Sequence, residues 1–315
     1  MRETSRVMDV MGTQAKITID HPDAERILTK AEIMLKQYEE RFSLNNPHSD
    51  VVKINQKAGL ESVQVAADLF NLIKMGREVS LASNSTFNIA IGALTKLWHI
   101  GFSDAQLPDK IAIQECLSLV NPADIVLEER TQSVYLRHKG MALDINALGK
   151  GYFSDHLKAY LKEEGVNAGR IDLGTNVLTL GSSPNHNSDY WLVEISNPFE
   201  AESEAVLALR VHEKSVVSSS INERKLKVGT KYYHHIFDSM TGYPVEGQNV
   251  SVTIVSEQSM DGEVWSTMLL AQTPQRALAW LNQAEGVEGI VITKEKQILI
   301  SDQLKNKIER LSNTI

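Results

Sequence analysis

The chain has 315 residues, 42% hydrophobic and 23% charged, with a formal net charge of −8. That length allows one large domain or two ordinary ones around a sizeable core. The acid excess argues against a broad nucleic-acid surface, and the single cysteine, Cys116, excludes an intrachain disulfide framework and a Cys-rich zinc site.

The opening residues, MRETSRVMDVMGTQAKITID, hold no apolar stretch of signal-peptide length, and Cys116 lies too far along the chain to be a lipid-anchored N-terminal cysteine. No run of about 18 apolar residues occurs, so no membrane span is expected and the cytoplasm is the default location. Residues 15–20, AKITID, alternate as a strand does. Residues 23–43 place Ile27, Ala31, Met34, Leu35 and Tyr38 on one helical stripe, and residues 65–83 predict a second long helix. Residues 84–102 carry Phe87, Trp98 and Phe102 among small residues, as core packing or as a shelf for a planar ligand. Residues 134–145 predict a strand or hairpin bent at Gly140, and residues 149–165 a helix that stops at Gly165.

Beyond this point the texture changes. GRIDLG, NVLTLG, YWLVEIS, AVLALRV, KYYHHIF and NVSVTIVS are short β-rich runs separated by Gly, Asn, Pro and Ser. Helices are expected over 259–272 and 274–282, strands at GIVITK and QILISD, and a helical tail. Strands clustered in the middle with helices around them favour an α+β fold over a regular βαβ alternation. With no repeat and no low-complexity linker, residues 1–315 read as one domain.

Three stretches carry candidate chemistry. In DINALGKGY (144–152), Gly149 and Gly151 flank Lys150 at a helix start, where close backbone approach suits a phosphate. The spacing is not that of a P-loop, and a Gly-punctuated turn with a solvated lysine is the plain alternative. In SMDGEVWSTMLL (259–270), Glu263 and Thr267 are four apart on one helix face, so a carboxylate and a hydroxyl can hold a hard cation such as Mg²⁺. Asp261 sits in the first turn, where acids also serve as helix caps. In HHIFDSMTGYPV (234–245), strand alternation points His234 and His235 to opposite sides, so they cannot easily share one metal. Asp238 reads as a turn initiator, and a histidine beside a rigid turn suits either general-base work or the end of a strand.

Taken in order, these segments resemble the ApbE family, the Mg²⁺-dependent FAD:protein FMN transferases. VMDVMGTQAKI is similar to the family's opening Met-Gly-Thr strand, and ERFSLNNPHSDVVKIN to its Phe-Ser … Ser … Asn segment. STFNIAIGALTKLWHIGF is similar to its Phe-Asp-Ile-Thr … Trp stretch, and ALDINALGKGYFSD to its Leu-Asp-Leu-Gly … Lys-Gly-Tyr motif. IDLGTNVLTLG resembles Asp-Leu-Gly-Gly-Asn, HHIFDSMTGYPV resembles His-Ile-x-Asp-Pro-x-Thr-Gly-x-Pro, and GEVWSTML stands where the family has Asp-x-x-x-Thr.

The resemblance implies a mixed or antiparallel sheet core flanked by helices. It also implies cleavage of the FAD diphosphate, transfer of FMN to a Thr or Ser hydroxyl of an acceptor protein, and release of AMP. Alternatives on the same fold are hydrolysis of FAD to FMN and AMP, or FAD binding without catalysis. By position, His235 becomes the base. The Ala147 carbonyl, Thr267 and Glu263, or Asp261 in its place, become the Mg²⁺ ligands. Met11, Asn45, Thr86, Phe87, Asn88, Asp144, Lys150 and Phe237 line the FAD site.

Several positions depart from the pattern. Ser239 and Met240 replace a Pro and a basic residue, Thr175 replaces a Gly, and Ser220 stands where the family has the Gly of Ser-Gly. A serine there is strained if the backbone needs positive φ. Asn88 replaces an Asp, and Asn45 replaces an aromatic that would stack on a flavin or adenine ring.

Overall fold

The computed structural model describes residues 3–183, 189–200 and 204–311. The chain divides into two compact units, one of Met1–Glu39, Lys150–Ser220 and Gly247–Ile315, the other of Glu40–Gly149 and Ile221–Glu246. Both are discontinuous in sequence, and one boundary falls inside the helix Asn146–Glu163.

The first unit is built on an eight-stranded antiparallel sheet. Its order is Thr4–Val10, Thr13–Ile19, Gly169–Asp172, Asn176–Leu180, Ser215–Ser220, Asn249–Ser256, Glu288–Thr293 and Ile298–Ile300. Met11 and Gly12, at φ 55° and 70°, make the two-residue turn between the first two strands. Both central residues have positive φ, the geometry that follows the twist of a tight hairpin. A three-stranded sheet of Trp191–Ser196, Ala205–Val211 and Ile308–Arg310 packs on this sheet: Trp191, Val193, Ile195, Leu207, Leu209 and Val211 meet Val177, Val216, Val255, Ile290 and Ile292. Helices occupy the other side, so all eight residues of Asn249–Ser256 are buried. The burial is continuous although residues 249–254 alternate polar with apolar, because both faces of the strand are covered.

The helix Ser259–Leu270 lies close on this sheet because Gly262 has no side chain: a Cβ there would stand 2.6 Å from Val217 Cγ2. Its N-terminus is capped from a neighbouring helix, with Asp155 accepting from the Ser259 and Met260 amides at 2.8 and 2.9 Å.

The second unit holds the helices Asp50–Gln56, Ala67–Leu81, Gly92–Trp98 and Lys110–Leu117, a small sheet of Val63–Gln64, Ser133–Leu136 and Ile125–Glu128, and the hairpin Lys225–Val228 with Lys231–His234. Trp98 is fully buried, its ring 5.2, 5.8 and 5.6 Å from those of Tyr233, Phe237 and Tyr243.

The fold is therefore α+β with an antiparallel core flanked by helices. The long helices run Ala24–Phe42, Ala67–Leu81, Asn146–Glu163, Ser259–Leu270 and Pro274–Gln283, close to their expected spans. Three local expectations differ. The strand expected within 134–145 is confined to Ser133–Leu136. The expected helical tail is a short 3-10 helix, Asp302–Lys307, followed by the edge strand Ile308–Arg310. Ser219 and Ser220 carry no positive φ; they lie in a regular strand opposite Val252 and Ser251, so the expected strain is absent.

Gly262→Ala is expected to lower the unfolding free energy by about 1–3 kcal/mol through overpacking against Val217. A urea titration measures it, and a second change, Val217→Ala, should recover part of the loss. An unchanged midpoint would show that the helix can lift off the sheet without cost.

Candidate active site

In the second unit, the segment around His235 is held at several points. Asp238 Oδ1 accepts from the Met240 amide at 2.8 Å and its Oδ2 accepts from the Thr241 hydroxyl at 3.0 Å. The Asp238 and Gly242 backbones close the turn, with Gly242 N donating to Asp238 O and Asp238 N to Tyr243 O, both at 2.8 Å. Gly242 is required twice over: its φ is +75°, and a Cβ would stand 2.5 Å from Ile113 Cγ2. Its carbonyl accepts from the Trp98 indole at 3.0 Å.

The two histidines diverge as alternation predicts. His234 Nδ1 accepts from the Ile236 amide at 3.3 Å, which leaves Nε2 to donate to Val245 O at 3.0 Å. Its ring is spent on the turn. His235 makes one long contact, from Nδ1 to the Arg224 carbonyl at 3.5 Å. Burial lowers its pKa from 6.5 to about 4, the nearby Arg224 and His234 adding to the effect against that carbonyl. It is therefore neutral at pH 7. With Nδ1 donating to the carbonyl, Nε2 carries the lone pair.

Asp144 belongs to the same neighbourhood. Its amide donates to Ile89 O at 2.8 Å and its Oδ1 accepts from the Asn146 amide at 3.0 Å. Burial pushes its carboxyl pKa up, against the Asn146 amide, the Thr95 hydroxyl and the Arg224 charge, which pull it down. Phe87 is buried, while the Asn88 side chain donates to Val120 O at 2.7 Å and accepts from the Ala90 amide at 2.8 Å. Asn88 thus ties its own loop to the segment at Val120. Thr86 and Asn45 are exposed in loops, the Asn45 amide donating to Ser43 Oγ at 3.1 Å. The Phe237 ring is buried in the Trp98 cluster. Phe102, the third aromatic of residues 84–102, is half-exposed and stacks on His99 at 4.1 Å. Ala147 lies in the first turn of the helix Asn146–Glu163.

In the first unit, the centre is Glu263. Its carboxylate is buried, and Oε1 accepts from Asn176 Nδ2 at 2.7 Å. Asn176 Oδ1 in turn accepts from the Ser154 and Ser259 hydroxyls at 3.0 and 2.8 Å. Asn176 therefore has a fixed orientation, and one Glu263 oxygen is held in place. Gly151, next to Lys150, allows the close helix contact: a Cβ there would stand 2.7 Å from Glu263 Cγ. Thr267 is half-buried one turn beyond Glu263 on the same face. Asp261, two residues before Glu263, is exposed and projects elsewhere. The geometry thus favours Glu263 over Asp261 as the inward-facing acid. A buried carboxylate and a hydroxyl one turn away are hard oxygen donors, and they fit Mg²⁺. Among the described residues, no group of three or more His, Cys, Asp or Glu side chains could hold a metal, so any such site would draw on hydroxyl or carbonyl oxygens. Met11 lies at the hairpin turn, its amide donating to Glu39 Oε1 at 2.7 Å.

A family model described as the ApbE family matches residues 11–291. The chain belongs to the ApbE family. The FAD:protein FMN transferase of Klebsiella pneumoniae (strain 342) is 35% identical over 96% of this chain and 93% of its own length. That of Treponema pallidum is 29% identical over 99% and 90%. Among solved structures, the ApbE protein of Thermotoga maritima superposes with a TM-score of 0.88 over 97% of this chain and 99% of its own, at 22% identity. The flavin transferase ApbE of Vibrio cholerae gives 0.83 over 97% and 99%, at 18%. These two likenesses establish the ApbE fold. Among the described residues, no helix is long and apolar enough to cross a membrane.

Arg224, Thr95, Ser154 and Ser259 escaped the sequence reading, and Asn176 entered it only as part of a motif. Asn176 had a signal: it opens a fully buried strand, NVLTL, where a polar residue needs partners. Arg224 had none, since it sits in an exposed stretch of ordinary basic residues.

Asn176→Ala removes three hydrogen bonds and leaves a buried carboxylate short of a donor. It is expected to cost about 2–3 kcal/mol of stability, read as a fall in thermal midpoint. A midpoint within error of the parent would mean that water replaces the amide.

Proposed function

We propose that the chain transfers FMN from FAD to a Thr or Ser hydroxyl of an acceptor protein and releases AMP, with residues 1–315 acting as one functional domain. The observation that carries this reading is His235: an imidazole kept neutral at pH 7, beside a turn pinned by Trp98, in a chain of the ApbE family.

In this reading His235 Nε2 takes the proton of the acceptor hydroxyl. The hydroxyl oxygen attacks the FMN phosphorus, and the P–O bond to AMP breaks with its electron pair leaving on AMP. Such in-line transfer depends on positioning and charge neutralisation more than on covalent catalysis. Lys150, which lies in the second turn of the helix Asn146–Glu163 and not at its start, offsets diphosphate charge with its ammonium. Glu263, Thr267 and the Ala147 carbonyl would hold Mg²⁺, which when bound supplies further neutralisation at the diphosphate oxygens. The Asn176 amide keeps the Glu263 carboxylate aimed, as partners of metal ligands do. Met11, Asn45, Thr86, Phe87, Asn88, Asp144 and Phe237 are assigned to the FAD surroundings, with Phe237 acting from the Trp98 core.

Asn45 favours a second reading. It is exposed and offers no ring to stack on the ligand, so FAD hydrolysis to FMN and AMP is its natural competitor.

One assay separates the readings: FAD, Mg²⁺ and an acceptor domain carrying a Thr motif, scored by mass. Transfer adds FMN to the acceptor, hydrolysis gives free FMN and AMP without it, and neither product with FAD bound indicates a binding protein. His235→Ala should reduce transfer by about 10²-fold or more while FAD binding persists. A variant as fast as the parent would remove His235 as the base. The lowered pKa fixes the sign of the pH response. His235 remains the neutral base as pH falls from 7 towards about 4, so the acid limb of kcat/KM lies well below the 6.5 of an ordinary histidine.

A further inference from the structure

Arg224 is absent from the motifs that mark the family in this chain, yet it meets His235 with its backbone and with its charge. Its carbonyl is the acceptor for His235 Nδ1 at 3.5 Å. Its side chain is laid across Gly101, where a Cβ would stand 2.8 Å from Arg224 Cδ and 3.3 Å from Cγ. Gly101 has φ +101° and so admits no ordinary side chain. The stem of Arg224 therefore runs over the bare backbone of Gly101, and its positive charge lowers the pKa of both Asp144 and His235.

The two ends of Arg224 act on the imidazole in opposite senses. A carbonyl facing Nδ1 demands a proton there, which disfavours the Nε2–H tautomer. A guanidinium nearby opposes a second proton, which disfavours the imidazolium. Of the three forms available to the ring, only the neutral Nδ1–H form satisfies both. We propose that Arg224 is a positioning residue for His235, selecting through its carbonyl and its guanidinium the neutral tautomer whose Nε2 is free to accept a proton. The charged and titratable groups around the ring are Arg224 itself, His234 and, through Arg224, Asp144. His234 is committed to Ile236 and Val245, and its effect on His235 has the same sign as that of Arg224.

This inference rests on the role given to His235 under the transferase reading, but its test does not require turnover. Ring ¹⁵N and ¹³C shifts of His235 in the ligand-free, full-length protein report both tautomer and titration midpoint. The expected result is the Nδ1–H tautomer at pH 7. In Arg224→Met, which keeps the stem and the carbonyl but not the charge, the midpoint should rise by about 0.5 unit or more. Arg224→Lys should hold it near the parent value. An Nε2–H tautomer in the parent, or an Arg224→Met midpoint equal to the parent's, overturns the inference. The FMN-transfer assay then supplies the functional arm: the acid limb of kcat/KM should move up in Arg224→Met and stay in Arg224→Lys. A limb unmoved in Arg224→Met overturns the role in the reaction. If the ring shifts behave as expected and the parent transfers no FMN, the transferase reading fails and the assignment of Arg224 to His235 stands.

Discussion

The hydrogen bond from the Trp98 indole to the Gly242 carbonyl is the constraint on which the histidine segment depends. Trp98 is fully buried, so its N–H must find an acceptor or lose the stability of a satisfied donor, about 1–3 kcal/mol. The acceptor it finds is the backbone of a turn eight residues after His234. Because the ring also packs on Tyr233, Phe237 and Tyr243, it grips the chain on both sides of His235. His234 adds a further tie through Val245. Little freedom is left to the imidazole of His235 except rotation of its own side chain. If His235 is the base of the proposed transfer, being held in this way favours its meeting a hydroxyl within hydrogen-bond reach.

In the other unit a buried carboxylate plays the corresponding part. Glu263 would be costly to place inside the protein without donors. Asn176 provides one, and is itself aligned by Ser154 and Ser259, so the carboxylate, the sheet and two helices are joined by a single chain of hydrogen bonds. Gly151 lets the helix backbone come close enough for this network to close. The network sets where an acid one methylene longer than the family's aspartate carries its carboxylate at position 263. The side chain is drawn back by the Asn176 amide instead of projecting freely from the helix.

How much of this was legible in the sequence follows from what each feature depends on. The long helices were readable because their periodicity is a local property, as in the stripe from Ile27 to Tyr38. The strand Asn249–Ser256 was readable as β-rich, but its burial on both faces depends on a second sheet contributed by residues 191–196 and 205–211. The strand Ser215–Ser220 was missed, since four of its six residues are serines and its strand character comes from its neighbours on the sheet. His235, Glu263 and Thr267 stood out as residue types in a motif. Arg224 did not, because its importance lies in a backbone carbonyl and in a glycine more than a hundred residues away, and neither leaves a mark on the local sequence.

The same logic decides what the departures from the family pattern mean. A proline after Asp238 would restrict the turn by fixing φ, and Ser239 does not. Here Asp238 supplies the restriction by other means, with both carboxylate oxygens engaged by Met240 and Thr241 and its backbone closed onto Gly242 and Tyr243. Serine in place of glycine at position 220 costs no strain because the backbone there is extended, and its neighbour Ser219 gains a hydrogen bond to Ser266 at 2.8 Å, one residue before Thr267. Asn88 in place of aspartate removes a charge and adds a donor, which the Val120 carbonyl takes. The changes at positions 239, 220 and 88 are thus each accommodated within their own unit. Asn45 is different, because a lost aromatic surface has no hydrogen-bonded substitute; Asn45 is exposed, and under the proposed reading its effect would fall on the ligand and not on the fold.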